Sequence, residues 1–183
     1  DNLFDSLNIP VAFFNAASSG ASVENFISSS TGEATTHPIT GYQSCYNGAN
    51  PSEPFNPDFP SGLGAPYAVY AKTISYYHSL FGIRAILWHQ GESDNYLETS
   101  LTNYEDRLNT LITKTRNDFG SNIPWVISRA SYFLGTTSAN IINAQNNVLN
   151  PASQFFTGPS TDDIMGLGQR DDNIHFNDAG LIT

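Results

Sequence analysis

The stretch Ile86–Tyr96, ILWHQGESDNY, runs an apolar strand straight into His89, Gln90, Glu92, Ser93 and Asp94. Crowding such groups at a strand end adds nothing to stability unless they face a site. Near the C-terminus, DDNIHFN sets His175 three residues after Asp172. At that spacing an aspartate can reach back to one ring nitrogen, fix the tautomer and leave the other nitrogen as a base. Histidine suits that work because its unperturbed pKa lies near neutrality. On spacing alone, a solvated acidic loop with an incidental histidine fits equally well. Gln90, directly after a strand, can aim an amide donor into a crevice as an oxyanion-hole group must. Gly20, ending AASSG, lets a backbone N–H come close to a substrate oxygen. Taken singly, a strand-end amide and a turn glycine are the simpler readings.

The neighbouring residues divide in the same way. Glu92 reads as an acid that orients a histidine, or as a carboxylate bracing loops through backbone hydrogen bonds. Ser93 lacks the second glycine of G-x-S-x-G and precedes Asp94, so it reads as a local hydrogen-bonding residue. Ser18, Ser19 and Ser22 lie beside the Gly20 turn and read as loop residues. His89 packs or hydrogen-bonds at the rim, His78 is structural on a helix face, and His37 is a substrate contact or nothing. The four histidines show no H-E-x-x-H spacing. Asp162–Asp163 and Asp171–Asp172 show no EF-hand pattern, and the first pair reads as a solvated loop. No metal and no cofactor is expected.

The elements that must position these groups alternate. Ile9–Asn15 reads as a buried strand running into AASSG. Residues 28–66 read as a long loop, a functional lid or a surface excursion, ordered by Tyr42, Tyr46, Phe55 and Phe59. From Pro66 an apolar face of Tyr67, Tyr70, Ala71, Ile74, Tyr77, His78 and Phe81 predicts a helix closed by Gly82. Ile83–Trp88 is the next strand, and Leu97–Phe119 a helix stopped by Gly120. Ile123–Ser131 and Gln154–Thr157 are strands around a helix over Ser138–Leu149. Asn177 caps a final helix that runs on past Thr183. Alternating helices and apolar strands buried on both faces predict a parallel sheet in a three-layer αβα fold, one α/β domain over residues 1–183. Trp88 and Trp125 read as core. Ligands in such folds sit beyond the carboxyl ends of the strands, where AASSG and HQGESD fall.

Composition narrows the partners. A net charge of -10 with seven Lys+Arg among 183 residues argues against nucleic acid and against an anionic membrane surface. One cysteine, Cys45, allows no intrachain disulfide and no cysteine-based zinc site. No apolar run reaches membrane-spanning length. The polarity comes from Asn, Ser, Thr, Tyr and Gly, a composition associated with secreted, carbohydrate-facing proteins. A secreted or periplasmic location is expected, although no signal peptide is read in these residues.

WHQGESD followed by D-x-x-H, with NAASSGASVENF after a strand, resembles the sialate O-acetylesterase-type carbohydrate esterases of the SGNH (GDSL-like) hydrolase superfamily. The three segments stand in the family's order across nearly all of the chain. The resemblance implies His175 as base, Asp172 as its orienting partner, and Gln90 and Gly20 as oxyanion donors. It implies hydrolysis of acetyl esters on saccharides through a serine acyl-enzyme without a metal. The family's nucleophile stands in a G-Q-S-N block at the end of the first strand, and no such block occurs here. In the flavodoxin-like order 2-1-3-4-5 that strand lies between the second and third. The expectation is therefore a nucleophile upstream of Asp1, on a strand whose removal leaves two sheet edges unpaired. Two rival readings are a glycan-binding module or inactive remnant, and a glycoside hydrolase using Glu92 and an aspartate. The latter needs two carboxyls about 5–9.5 Å apart across a sugar site.

Overall fold

Ser22 and Asn25 start the first helix by satisfying each other's backbone. The Ser22 hydroxyl accepts the Asn25 N–H, and the Asn25 side chain accepts the Ser22 N–H, opening α1 (Val23–Ser30). The computed structural model describes residues 6–41, 43–44, 64–120 and 122–182. Part of the stretch read as loop is therefore ordered differently. The end of α1 and a two-residue antiparallel ladder, β1 (Thr35–Thr36) with β2 (Gln43–Ser44), fall inside it. Tyr42, Cys45, Tyr46, Phe55 and Phe59 lie outside the described residues, and the lid reading goes with them.

Helix α2 (Tyr67–Phe81) forms as its periodicity predicts, and Gly82 ends it in the left-handed region at φ 71°. Its buried face stops at Ile74, however; Phe81 is exposed, and Tyr77 stacks on Phe14 with ring centroids 3.5 Å apart. After β3 (Ile86–Trp88), the helix expected from Leu97 is two pieces, α3 (Glu92–Tyr96) and α4 (Leu101–Phe119). The break is chemical: the Ser100 side chain accepts the Asn103 N–H and caps a new helix. Then come β4 (Trp125–Arg129), α5 (Ala139–Val148) capped by Ser138, β5 (Phe155–Ser160) and α6 (Asp178–Leu181) capped by Asn177.

The sheet runs β3-β4-β5 with both pairings parallel, the α/β arrangement the alternation predicts and the flavodoxin-like fold the resemblance implies. Trp88 and Trp125 meet inside it at 5.7 Å between centroids, with Phe26 against Trp88, and both tryptophans are core. Leu108, Leu111 and Ile112 of α4 and Ile141 and Val148 of α5 complete the packing. Each such side chain contributes about 1.5–3 kcal/mol by leaving water.

Two expectations change. Burial on both faces holds for most of β4, but Leu87 of β3 is 58% exposed and Phe156 of β5 is also open. Ile9–Asn15 forms no ladder, and Phe13 is 66% exposed. A strand needs a neighbour about 4.8 Å away to take its N–H and C=O groups. A cavity of about 480 Å³ is lined by residues of both the 11–18 segment and 83–90. Phe26, Tyr70 and Ile74 also line it.

Candidate active site

Gln90 leaves the carboxyl end of β3 only 8% exposed, and every polar atom of its side chain is engaged. Its Nε2 donates to Asp94 Oδ2 at 2.7 Å and to the Ala21 carbonyl at 3.2 Å, while Oε1 accepts the Tyr104 hydroxyl at 3.1 Å. The Gln90 backbone carbonyl accepts from Tyr104 Oη at 2.9 Å and Gln145 Nε2 at 2.8 Å. Gln145 also pairs with the N–H and C=O of Ala130 just past β4. Tyr104 and Gln145 thus lock the ends of two neighbouring strands together. Burial holds the Tyr104 phenol well above its ordinary value, so it stays a donor.

Asp94 anchors this cluster from beneath. Fully buried, it also accepts the Val23 N–H at 2.9 Å and the Thr99 hydroxyl at 3.0 Å. Burial pushes its carboxyl up; the bonds from Val23, Gln90 and Thr99 and the charge of Arg107 oppose the rise. Gly91 makes the fit possible, since a Cβ there would lie 1.8 Å from the Ala130 carbonyl oxygen. Backbone cannot yield as a side chain can. Gly91→Ala is expected to destabilise the fold by about 3 kcal/mol, the upper end for overpacking, read as a shift in the urea midpoint.

Gly20 takes the left-handed conformation, φ 64°, and its carbonyl accepts the Ser93 hydroxyl at 2.8 Å. Ser93, read as a locally bonding residue, instead ties this loop to the distant Gly20 turn. Glu92 accepts the N–H of its neighbour Gly91 at 3.0 Å and brings Oε1 to 3.6 Å from His89 Nδ1. On the other ring nitrogen, His89 meets Thr161 Oγ1 at 3.0 Å.

The second half of the site is local in sequence. Asp172 Oδ2 stands 2.6 Å from His175 Nδ1, and Oδ1 accepts the N–H groups of Ile174 at 2.9 Å and His175 at 2.7 Å. The His175 backbone N–H, then its ring, hold the Asp172 carboxyl far below the usual carboxylate range. The His175 side chain is 73% exposed, with Nε2 on the side away from Asp172. Phe176 meets His89 edge to face at 6.1 Å, joining this loop to the end of β3. No hydrogen bond runs directly from the His175–Asp172 pair to Gly20 or Gln90 among the described residues. No described serine hydroxyl bonds to His175, and those of Ser22 and Ser93 are committed as cap and tie.

The family comparison bears on the chemistry of this arrangement. Residues 16–183 match the model of a carbohydrate esterase family described as sialic acid-specific acetylesterase. The chain belongs to this family. No curated protein and no solved structure matches it. At the level of the family, this member is a carbohydrate esterase and its substrate an acetylated carbohydrate. No helix among its described residues is long and apolar enough to cross a membrane.

Several residues that build the site of this carbohydrate-esterase family member carried no sequence signal. Arg170 is buried and donates to the carbonyls of Ile164 at 2.6 Å, Thr161 at 3.0 Å and Ile174. Its guanidinium lies over the rings of Phe176 and Tyr132, 4.1 and 4.6 Å from their centroids. It thereby fixes the turn that carries His175. Asp162, read as solvated, instead accepts the N–H groups of Ser131 and Tyr132 and the Ser131 hydroxyl, all within 2.9 Å. Its role is to close the end of β4, a contact across a separation that spacing does not reveal.

Proposed function

We propose that the protein is a carbohydrate O-acetylesterase that cleaves acetyl esters on sugars or polysaccharides through a serine acyl-enzyme. The observation that carries this reading is the 2.6 Å His175–Asp172 pair with the far ring nitrogen open. Asp172 holds the proton on Nδ1, so Nε2 is the base. It takes the serine proton as the serine oxygen attacks the acetyl carbonyl, then gives that proton to the departing sugar hydroxyl. Water follows the same route in reverse and releases acetate. The Gly20 N–H and the Gln90 amide stabilise the oxyanion, the amide by exchanging its longer bond to the Ala21 carbonyl. Glu92 and Ser93 support these groups, and no metal or other cofactor takes part.

The nucleophile is read as a serine at the end of a further strand, not as one of the described serines. The cavity lined by the 11–18 segment and β3 supports this, because it has the apolar lining of a strand site and reaches Ser18, His89 and Gln90. A strand laid there would deliver its last residue to the polar cluster. The acidic, hydroxyl-rich composition supports a secreted or periplasmic setting.

One observation favours the module reading instead: none of the described serines reaches His175. The full-length protein treated with a fluorophosphonate probe separates the two. Labelling of a serine on that further strand with acetate release from acetylated sugars is the expected result. An unlabelled protein that binds sugars without cleaving them is the module. Release of reducing ends would point to a glycosidase.

A further inference from the structure

His37 reads from the sequence as a substrate contact or nothing, and its surroundings favour a contact. Its Nδ1 accepts the backbone N–H groups of Ile39 and Thr40, each at 3.2 Å, inside a tight turn closed by the Gly41 N–H on the His37 carbonyl. A ring nitrogen that accepts hydrogen bonds carries no proton, so the neutral imidazole keeps its hydrogen on Nε2. That edge faces Gly20: a Cβ built on Gly20 would meet His37 Nε2 at 2.0 Å and Cε1 at 2.4 Å. The placement is built rather than incidental. Asn25, already reciprocally bonded to Ser22, also donates its Nδ2 to the Thr36 carbonyl at 3.2 Å, which pins the residue before His37 to the start of α1. Thr35 Oγ1 donates to the Ala65 carbonyl at 3.1 Å from the other side.

The turn it covers has a donor to share. Among the described residues nothing accepts the Gly20 N–H, while both Gln90 amide hydrogens are engaged, on Asp94 and Ala21. We propose that His37 Nε2–H is a side-chain oxyanion donor of this site, acting beside the Gly20 N–H on the acetyl carbonyl oxygen. Unlike Gln90, it need break no internal bond to do so. This rests on the esterase reading, in which Gly20 flanks the reacting carbonyl. No electron or proton is transferred by His37; it donates a hydrogen bond that strengthens as the carbonyl oxygen takes up negative charge.

The test uses the full-length protein and three measurements. Wild type is first assayed for acetate release from an acetylated sugar and for fluorophosphonate labelling. His37→Ala should then lower kcat about 100-fold with KM within threefold, as loss of one oxyanion donor does. His37→Gln, which restores an N–H donor, should recover at least tenfold of that loss. In wild-type protein the His37 Nε2–H resonance should move on binding a trifluoromethyl ketone analogue of the acetyl ester, a readout independent of any variant. An active wild type with His37→Ala within threefold of it, or an unmoved resonance in the complex, overturns the His37 assignment and leaves the esterase intact. A wild type that neither releases acetate nor takes the label overturns both.

Discussion

His175→Ala is expected to reduce kcat for acetyl-ester hydrolysis about a million-fold in the full-length protein, with a far smaller change in KM. The size follows from what one ring does in two steps. Without Nε2 the serine must lose its proton to water, and the departing sugar must leave as an alkoxide or find its proton elsewhere. Neither loss can be absorbed by His89, whose two ring nitrogens already face Thr161 and Glu92. The fold should survive, since the side chain is largely exposed and its backbone N–H still reaches Asp172. Kinetics on an acetylated sugar with a matched thermal midpoint check both halves. Activity within tenfold of wild type would show that another group is the base.

Asp94→Leu is expected to destabilise the fold by about 3–5 kcal/mol, the cost of stripping the partner from buried polar groups. Leucine fills similar space but accepts nothing, so the Val23 N–H, the Gln90 amide and the Thr99 hydroxyl lose their acceptor together. Asp94→Asn should cost within about 1 kcal/mol, because one amide oxygen can take Val23 and Gln90 while the amide nitrogen donates to Thr99. Urea unfolding of the two variants reads the difference. Equal losses would mean that the charge, not the acceptor geometry, holds the site.

The two variants also differ in pH dependence. Burial raises the folded Asp94 carboxyl above its unfolded value, so ionisation costs the folded state. That cost is absent below the unfolded pKa of about 3.9, grows as pH rises toward the folded value, and is constant above it. Asparagine removes it, so its stability relative to wild type should rise across that window. Asp172 runs the other way. Its depressed carboxyl stabilises the fold above the unfolded pKa, and the contribution fades only as pH falls toward the folded one.

What could be read from the chain and what could not divides along sequence separation. Helices α2, α4 and α5 announced themselves through apolar spacing, with Gly82 and Gly120 as the stops of the first two. The Asp172–His175 pair was legible because both partners sit within one turn. Asp94 with Val23, Gln90 with Gln145, and Asp162 with Ser131 are bonds between residues brought together only by the sheet. Spacing carries no trace of them. Arg170 read as one of few cations in an acidic chain, with no hint that three carbonyls and two rings enclose it. Ile9–Asn15 has the composition of a strand, but a ladder is a property of pairs, and no described strand pairs with it.

The bonds around Asp172 have a dynamic consequence. One carboxylate holds two consecutive backbone amides and the ring, while Arg170 grips the Ile174 carbonyl between them. No member can fray alone. The loop therefore opens as one cooperative unit, and every opening releases the ring and exposes the amides in the same event. Amide exchange at Ile174 and His175 thus counts the fraction of time the dyad is dismantled, so the population of the poised base can be followed without substrate.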